Sequence, residues 1–318
     1  MQKLQIRNIA RRILEFFHVP AYTKERVFNV DFQVEIENIR ADEKRFFLVA
    51  PKARSFASQE LLIDPKFDPP TENIRRDERY GNEYAVWSVA LKGAEKKKFT
   101  ESFRVRVFPS GYNLRKAGNI SSYASIDESI YLCASKYVCA SDKEVYDLAQ
   151  QLRASSDNIH KVLFSINAFV TSRLKYGDPI RGLYTTREAL EKDAVDCGGF
   201  STLMVALSIA CGIPARIVCG YLAGYENNTM HAWVQVMLPN GQWVSADPSM
   251  EKLYLEGRTK KSGRLGYVGS DRIIFSVGCD MPLEINEKLV SMDILQTPSV
   301  VPKEAEKDLR ITTTISTI

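Results

Sequence analysis

The hydrophobic period of this chain changes near Asp142, and the change separates two kinds of structure. Phe28, Val30, Phe32, Val34 and Ile36 alternate strictly with Asn29, Asp31, Gln33, Glu35 and Glu37, the period of a strand with one buried face. Residues 45–49 and 84–91 are further candidate strands, with Gly81-Asn82 as a turn before the latter, and 99–107 repeats the alternation through Phe103, Val105 and Val107. Short strands with turn-rich spacers predict an antiparallel β-sandwich, and Pro109-Ser110-Gly111-Tyr112-Asn113 is its exit. From about Asp142 the apolar residues recur at helical spacing: Val145, Leu148, Ala149 and Leu152, then Ile159, Val162, Leu163, Ile166, Phe169 and Val170. Thr185-Thr186-Arg187-Glu188 has the form of a capping box before a third, short helix. A further helix follows Cys197, and strands resume at Ile217. Helices first and strands after make an α+β domain. The segments 272–277 and 309–318 read as weaker extra strands.

The expected organisation is therefore a helix and linker over 1–24, a β-sandwich-like domain over 25–110, and an α+β domain over 125–318 with its core at 142–250. A chain of 318 residues accommodates two such domains. Its net charge of +4, spread over dispersed basic residues, leaves no footprint for nucleic acid. No apolar run approaches the roughly 20 residues of a membrane span. In the first 17 residues Ile6, Ile9, Ala10, Ile13 and Phe17 lie at helical spacing, with Lys3, Arg7, Arg11 and Arg12 mostly elsewhere. That segment reads as a packed amphipathic helix, without the uninterrupted apolar centre and small-residue cleavage site of a secretory signal. A cytoplasmic setting is expected. The six cysteines form no Cys-x-x-Cys pair, so a zinc ribbon is not expected. Five of them read as small buried apolar residues.

Cys197 is the exception. It stands in Val195-Asp196-Cys197-Gly198-Gly199-Phe200 and opens a helix whose Phe200, Leu203, Met204, Leu207, Ala210 and Cys211 repeat at helical spacing before Gly212 and Pro214 end it. In a first turn, unpaired backbone N–H groups and the helix dipole favour a thiolate. The two glycines would let a substrate approach the sulfur. The N–H of Cys197 itself could donate to an oxyanion.

His231 is one of three histidines, in a strand-like run from Met230 to Leu238, and Asp247 ends the next strand before Pro248. The turn between them decides whether they can meet. A two-residue Asn240-Gly241 loop would put Asp247 on the opposite face from His231. Pro239-Asn240-Gly241 better suits a three-residue loop with a left-handed glycine. Leu238 then pairs with Gln242 and Trp233 with Asp247. His231 and Asp247 become diagonal neighbours about 7–8 Å apart at the backbone. A thiol, an imidazole and a carboxylate so arranged suit nucleophilic catalysis: Cys197 attacks a carbonyl, His231 holds the thiolate and protonates the leaving amine, and Asp247 fixes the imidazole tautomer.

The stretch from about Asp142 to Ser249 resembles the transglutaminase-like superfamily of papain-related thiol enzymes. The resemblance lies in Asp196-Cys197-Gly198-Gly199-Phe200, in the run from Ala210 to Tyr221, in His231-Ala232-Trp233, and in Gly241-Gln242-Trp243 through Asp247-Pro248. Residues 25–108 are more loosely similar to the β domain that precedes this core in microbial members. The resemblance implies a nucleophile at a helix N-terminus packed on an antiparallel sheet, a Cys197-His231-Asp247 triad, no cofactor and no metal. The paired Cys-x-x-Cys zinc motif of the related peptide N-glycanases is absent. The second oxyanion donor is open, with Tyr184 a candidate that also reads as a packing tyrosine. Hydrolysis of a peptide or amide bond in a peptide or protein substrate is the expected activity. Crosslinking of glutamine side chains to amines is the alternative, and a binding module with an inert triad is the alternative from another class. The loop 222–229 is expected to line the substrate groove.

Overall fold

The strict alternation of residues 28–36 becomes one long strand, β1 (Arg26–Asn38), which buries Phe28, Val30, Phe32, Val34 and Ile36. It is followed by β2 (Lys44–Lys52), β3 (Gln59–Asp68), β4 (Ile74–Arg76), β5 (Glu83–Leu91) and β6 (Lys96–Val107). The computed structural model describes residues 20–123, 129–225 and 228–318. The expected N-terminal helix and the loop tip Glu226-Asn227 lie outside the described residues.

The chain divides into two compact units. One comprises Glu25–Phe108, Val218–Ala232 and Asp271–Ile318; the other comprises Pro109–Ile217 and Trp233–Ser270 with the described residues 20–24.

The helical unit contains α1 (Lys143–Arg153), α2 (Ile159–Arg173), α3 (Thr186–Glu191), α4 (Cys197–Ala210) and α5 (Pro248–Leu255), with the two-residue strands β7 (Lys175–Tyr176) and β8 (Ala194–Val195). Asp142 and Asn158 cap α1 and α2, and both bonds of the Thr185–Glu188 capping box are present. Phe200, Leu203, Met204 and Leu207 of α4 are fully buried. Each contributes about 1.5–3 kcal/mol relative to exposure. Gln150 ties α1 to the end of α4 by donating to the Ala210 carbonyl at 2.9 Å. Gly212, at φ +83°, then turns the chain out of the helix.

Strands β9 (Ala215–Leu222), β10 (Thr229–Met237), β11 (Trp243–Ala246) and β12 (Arg272–Val277) form an antiparallel sheet in the order β11-β10-β9-β12. The division between units falls within β9 and β10 along the chain. The β10–β11 hairpin has the register that its turn residues predict. Val234 pairs with Ala246 and Met237 with Trp243. The Leu238 N–H reaches the Gln242 carbonyl at 2.9 Å, and Gly241 sits at φ +80°.

The β unit is a pair of four-stranded antiparallel sheets, completed by β13 (Ser299–Val301) and β14 (Leu309–Thr317), in the orders β14-β1-β6-β3 and β13-β2-β5-β4. The 271–318 segment was expected in the α+β domain, and it falls here instead. The reason is hydrogen-bonding: β6 satisfies one edge of β1, and β14 satisfies the other with Val34 opposite Thr313. Trp87 packs edge-on against Phe67 and Phe99, at 5.4 and 5.5 Å, within a core that includes Ile36, Leu48 and Leu91. β3 has no clean alternation because it is an edge strand, mostly half-buried or exposed, and broken by register shifts around Ile63.

None of the six cysteines is in a disulfide. Cys211, Cys219 and Cys279 are buried, whereas Cys133 is exposed and Cys139 half-buried, so the expectation of five buried cysteines holds for three. Among the described residues, no helix is long and apolar enough to cross a membrane.

Candidate active site

Cys197 is the first residue of α4 and is half-buried. Asp196 is its N-cap, accepting from the Gly199 N–H at 3.2 Å and, through its other oxygen, from the Ile180 N–H at 3.1 Å. Cys197 thus stands at the positive end of the helix dipole, next to the capping carboxylate of Asp196. Burial pushes the Cys211 thiol at the other end of the helix up to about 11, and its Sγ contacts the Ala149 carbonyl at 3.4 Å.

The segment that delivers Cys197 is held by β8, which pairs in parallel with β7, Tyr176 opposite Val195. Gly199 lies against that strand. A Cβ there would stand 2.6 Å from the Val195 Cβ, and one on Gly198 would stand 2.9 Å from Leu183 Cδ1. The glycines therefore serve the close packing of the helix start on β8 and Leu183, rather than opening a path to the sulfur.

Tyr176 is the residue that sequence reasoning missed. Its hydroxyl has no hydrogen-bond partner among the described residues. Its ring packs on Phe200 at 6.2 Å. Burial raises its pKa strongly, and the negative charges of Cys197, Asp196 and Asp247 raise it further, so the phenol stays protonated beside these groups. A two-residue strand carries no periodicity, and only its pairing with β8 reveals the position. Tyr184, the earlier candidate, has its hydroxyl committed to the Asp178 carbonyl at 2.7 Å and is buried.

Asp247 is fully buried. It is not the last residue of a strand but the N-cap of α5, with Pro248 at the first helical position. One carboxylate oxygen accepts from the Met250 N–H at 2.9 Å and the Ser249 hydroxyl at 3.0 Å. The Asp-Pro pair is a legible helix start, although the helix was not expected. Asn167 of α2 secures α5 by donating to Glu251 at 2.7 Å.

His231 is the third residue of β10 and is buried. It belongs to the β unit, whereas Cys197 and Asp247 belong to the helical unit. Its backbone carbonyl accepts from the Gln296 side chain at 2.8 Å. Within the described residues no group of three or more His, Cys, Asp or Glu side chains could hold a metal ion. The helical unit thus presents a thiol at a helix N-terminus, a protonated phenol and a buried carboxylate, groups suited to adding sulfur to a carbonyl and stabilising the oxyanion.

Residues 146–248 match the family model of the transglutaminase-like superfamily. Over these residues the chain is similar to that superfamily. The chain also has a sequence relative in the Bacillus subtilis protein YebA, itself described as uncharacterized, which is 40% identical over 67 residues. The aligned stretch is 17% of this chain and 9% of YebA, so the chain spans less than a tenth of that relative. A solved structure from Cytophaga hutchinsonii, described as a candidate cysteine protease, is similar across 92% of each chain with a TM-score of 0.63 and 14% identity. At that identity the likeness extends to the fold.

Proposed function

We propose that this chain is a cysteine-dependent acyl-transfer enzyme that hydrolyses peptide or amide bonds of a peptide or protein substrate. The observation that carries the reading is the half-buried Cys197 thiol at the first position of α4. Its thiolate adds to the carbonyl carbon. The Cys197 N–H and the Tyr176 hydroxyl donate to the oxyanion that forms. His231, its tautomer fixed by Asp247, gives its proton to the departing amine as the C–N bond breaks and a thioester remains. Water then attacks the thioester, His231 takes its proton, and the thiolate leaves with the acid released. Six cysteines outside any disulfide suit a reducing, cytoplasmic setting in which that thiol persists.

Alkylation with iodoacetamide tests the nucleophile against Cys133, the exposed internal reference. Cys197 is expected to react faster at pH 6, and Cys197→Ala to abolish turnover of a peptide and amide library. Equal reactivity of both thiols, with activity retained in Cys197→Ala, refutes the enzyme and favours a binding module. Covalent incorporation of a fluorescent amine into a glutamine-containing protein, lost in His231→Ala, would replace hydrolysis by transamidation.

A further inference from the structure

The β unit contains a side chain whose contacts converge on the backbone of His231. Gln296 lies in the connection before β13, 65 residues beyond the histidine, and its Nε2 donates to the His231 carbonyl at 2.8 Å and to the Gly220 carbonyl at 3.1 Å. We propose that Gln296 is a positioning residue for His231, clamping β10 to β9 at the histidine through both hydrogens of one amide. The inference rests on the catalytic role proposed above for His231.

The need for a clamp follows from the sheet. The ladder between β10 and β11 runs from Met237 to Val234 and ends there, because β11 stops at Ala246 and α5 begins at Pro248. His231 lies three residues beyond that ladder. On the other side of β9 the pairing with β12 shifts at Gly220. Cys219 is opposite Ser276 and Gly220 opposite Ile274, which leaves Phe275 as the extra residue. The bulge carries Phe275 into the core against Phe32, at 5.3 Å between ring centroids, and it disrupts the regular bonding of the strand at that level. Gln296 acts where the support of both outer strands is weakest.

The amide suits the task chemically. A primary amide nitrogen carries two donors, and here each meets a backbone carbonyl on a different strand. A glutamate has no second donor in either protonation state, and its anion repels both carbonyls. The clamp is also anchored. Leu295, immediately before it, is fully buried among Met281, Leu283 and Met292, and Ser299, three residues after it, pairs with Val49. A short connection fixed at both ends spends little side-chain entropy on holding the amide in place.

The test reads the imidazole through the thiol. The pH dependence of Cys197 alkylation is measured for the unaltered protein, Gln296→Met, Gln296→Glu and His231→Ala, with thermal melts of each. A displaced imidazole weakens the thiolate pair, so Gln296→Met is expected to lower alkylation at pH 6 on the order of 10-fold and to lower kcat more than it raises KM. Gln296→Glu is expected to behave the same at pH 7 and to recover partly at pH 5, where the protonated carboxyl can donate once. A role in stability alone would lower the melting temperature and leave the profile in place, which overturns the inference. If His231→Ala also leaves the profile unchanged, the failure is that of the triad; if His231→Ala shifts it and Gln296→Met does not, only the clamp fails. Should Gln296→Met not fold, the side-chain amide of Gln296 in the unaltered protein decides. Slow hydrogen exchange supports the clamp, and exchange at the rate of a free amide refutes it.

Discussion

Replacing Glu101 by glutamine should make the β unit more stable, by an amount that depends on pH in a defined way. Glu101 lies in β6 between Phe32 of β1 and Phe67 of β3. One carboxyl oxygen accepts from the Ala53 N–H at 2.9 Å, and the other is buried with no partner. The adjoining cavity, lined by Phe32, Leu48, Trp87 and Phe99, has about 10 Å³, room for at most one water. Burial pushes this carboxyl from its ordinary 4.5 up to about 8, against the opposing pull of the Ala53 N–H and the Lys52 charge. Between those values the folded state holds a proton that the unfolded chain has released. Stability therefore falls as pH rises through the window, by about 1.4 kcal/mol per unit, and levels off above it. Over about 3.5 units the loss is roughly 5 kcal/mol. Glu101→Gln keeps the acceptor for Ala53 and removes the charge. Urea denaturation of both proteins at pH 5, 7 and 8.5 isolates the effect, since every other titrating group is common to the two. The difference in unfolding free energy should be small at pH 5 and grow to several kcal/mol by pH 8.5. Parallel pH curves would refute the argument.

Substitutions at three further positions probe the helical unit. Gly199→Ala should cost about 1–3 kcal/mol of stability in a thermal melt, because its Cβ would stand 2.6 Å from that of Val195, and it should slow Cys197 alkylation by displacing the helix start. Asp247→Asn should retain the N-cap of α5 and the melting temperature while losing activity, whereas Asp247→Ala should also lose about 1 kcal/mol of stability; equal activity in the asparagine variant and the unaltered protein would remove the carboxylate from the mechanism. Tyr176→Phe should leave the melt unchanged and lower kcat by roughly 100-fold, and an unchanged kcat would discount its hydroxyl as an oxyanion donor.

What the sequence determined by itself was whatever depends on local period and local turn chemistry. The alternation of residues 28–36 prescribes a strand with one buried face, and the spacing after Cys197 prescribes a helix with that thiol in its first turn. Pro239-Asn240-Gly241 specifies a three-residue loop and hence the register Val234 opposite Ala246. These features are legible because each is set within a few residues by backbone sterics and side-chain direction. Tertiary structure decided what depends on partners distant in the chain. The C-terminal strand β14 joins β1 because an interior strand needs two neighbours, and no local pattern names the second. Tyr176 comes near Cys197 only through the parallel pairing of two dipeptides, and Gln296 reaches His231 only through a fold that closes 65 residues of chain. The alternation places Glu101 on the buried face with Phe99 and Phe103, but that one of its carboxyl oxygens has no partner there was decided by the packing around it. Cys197 itself was readable from the start. Its glycine neighbours took their meaning, close packing on Val195 and Leu183, from the folded chain.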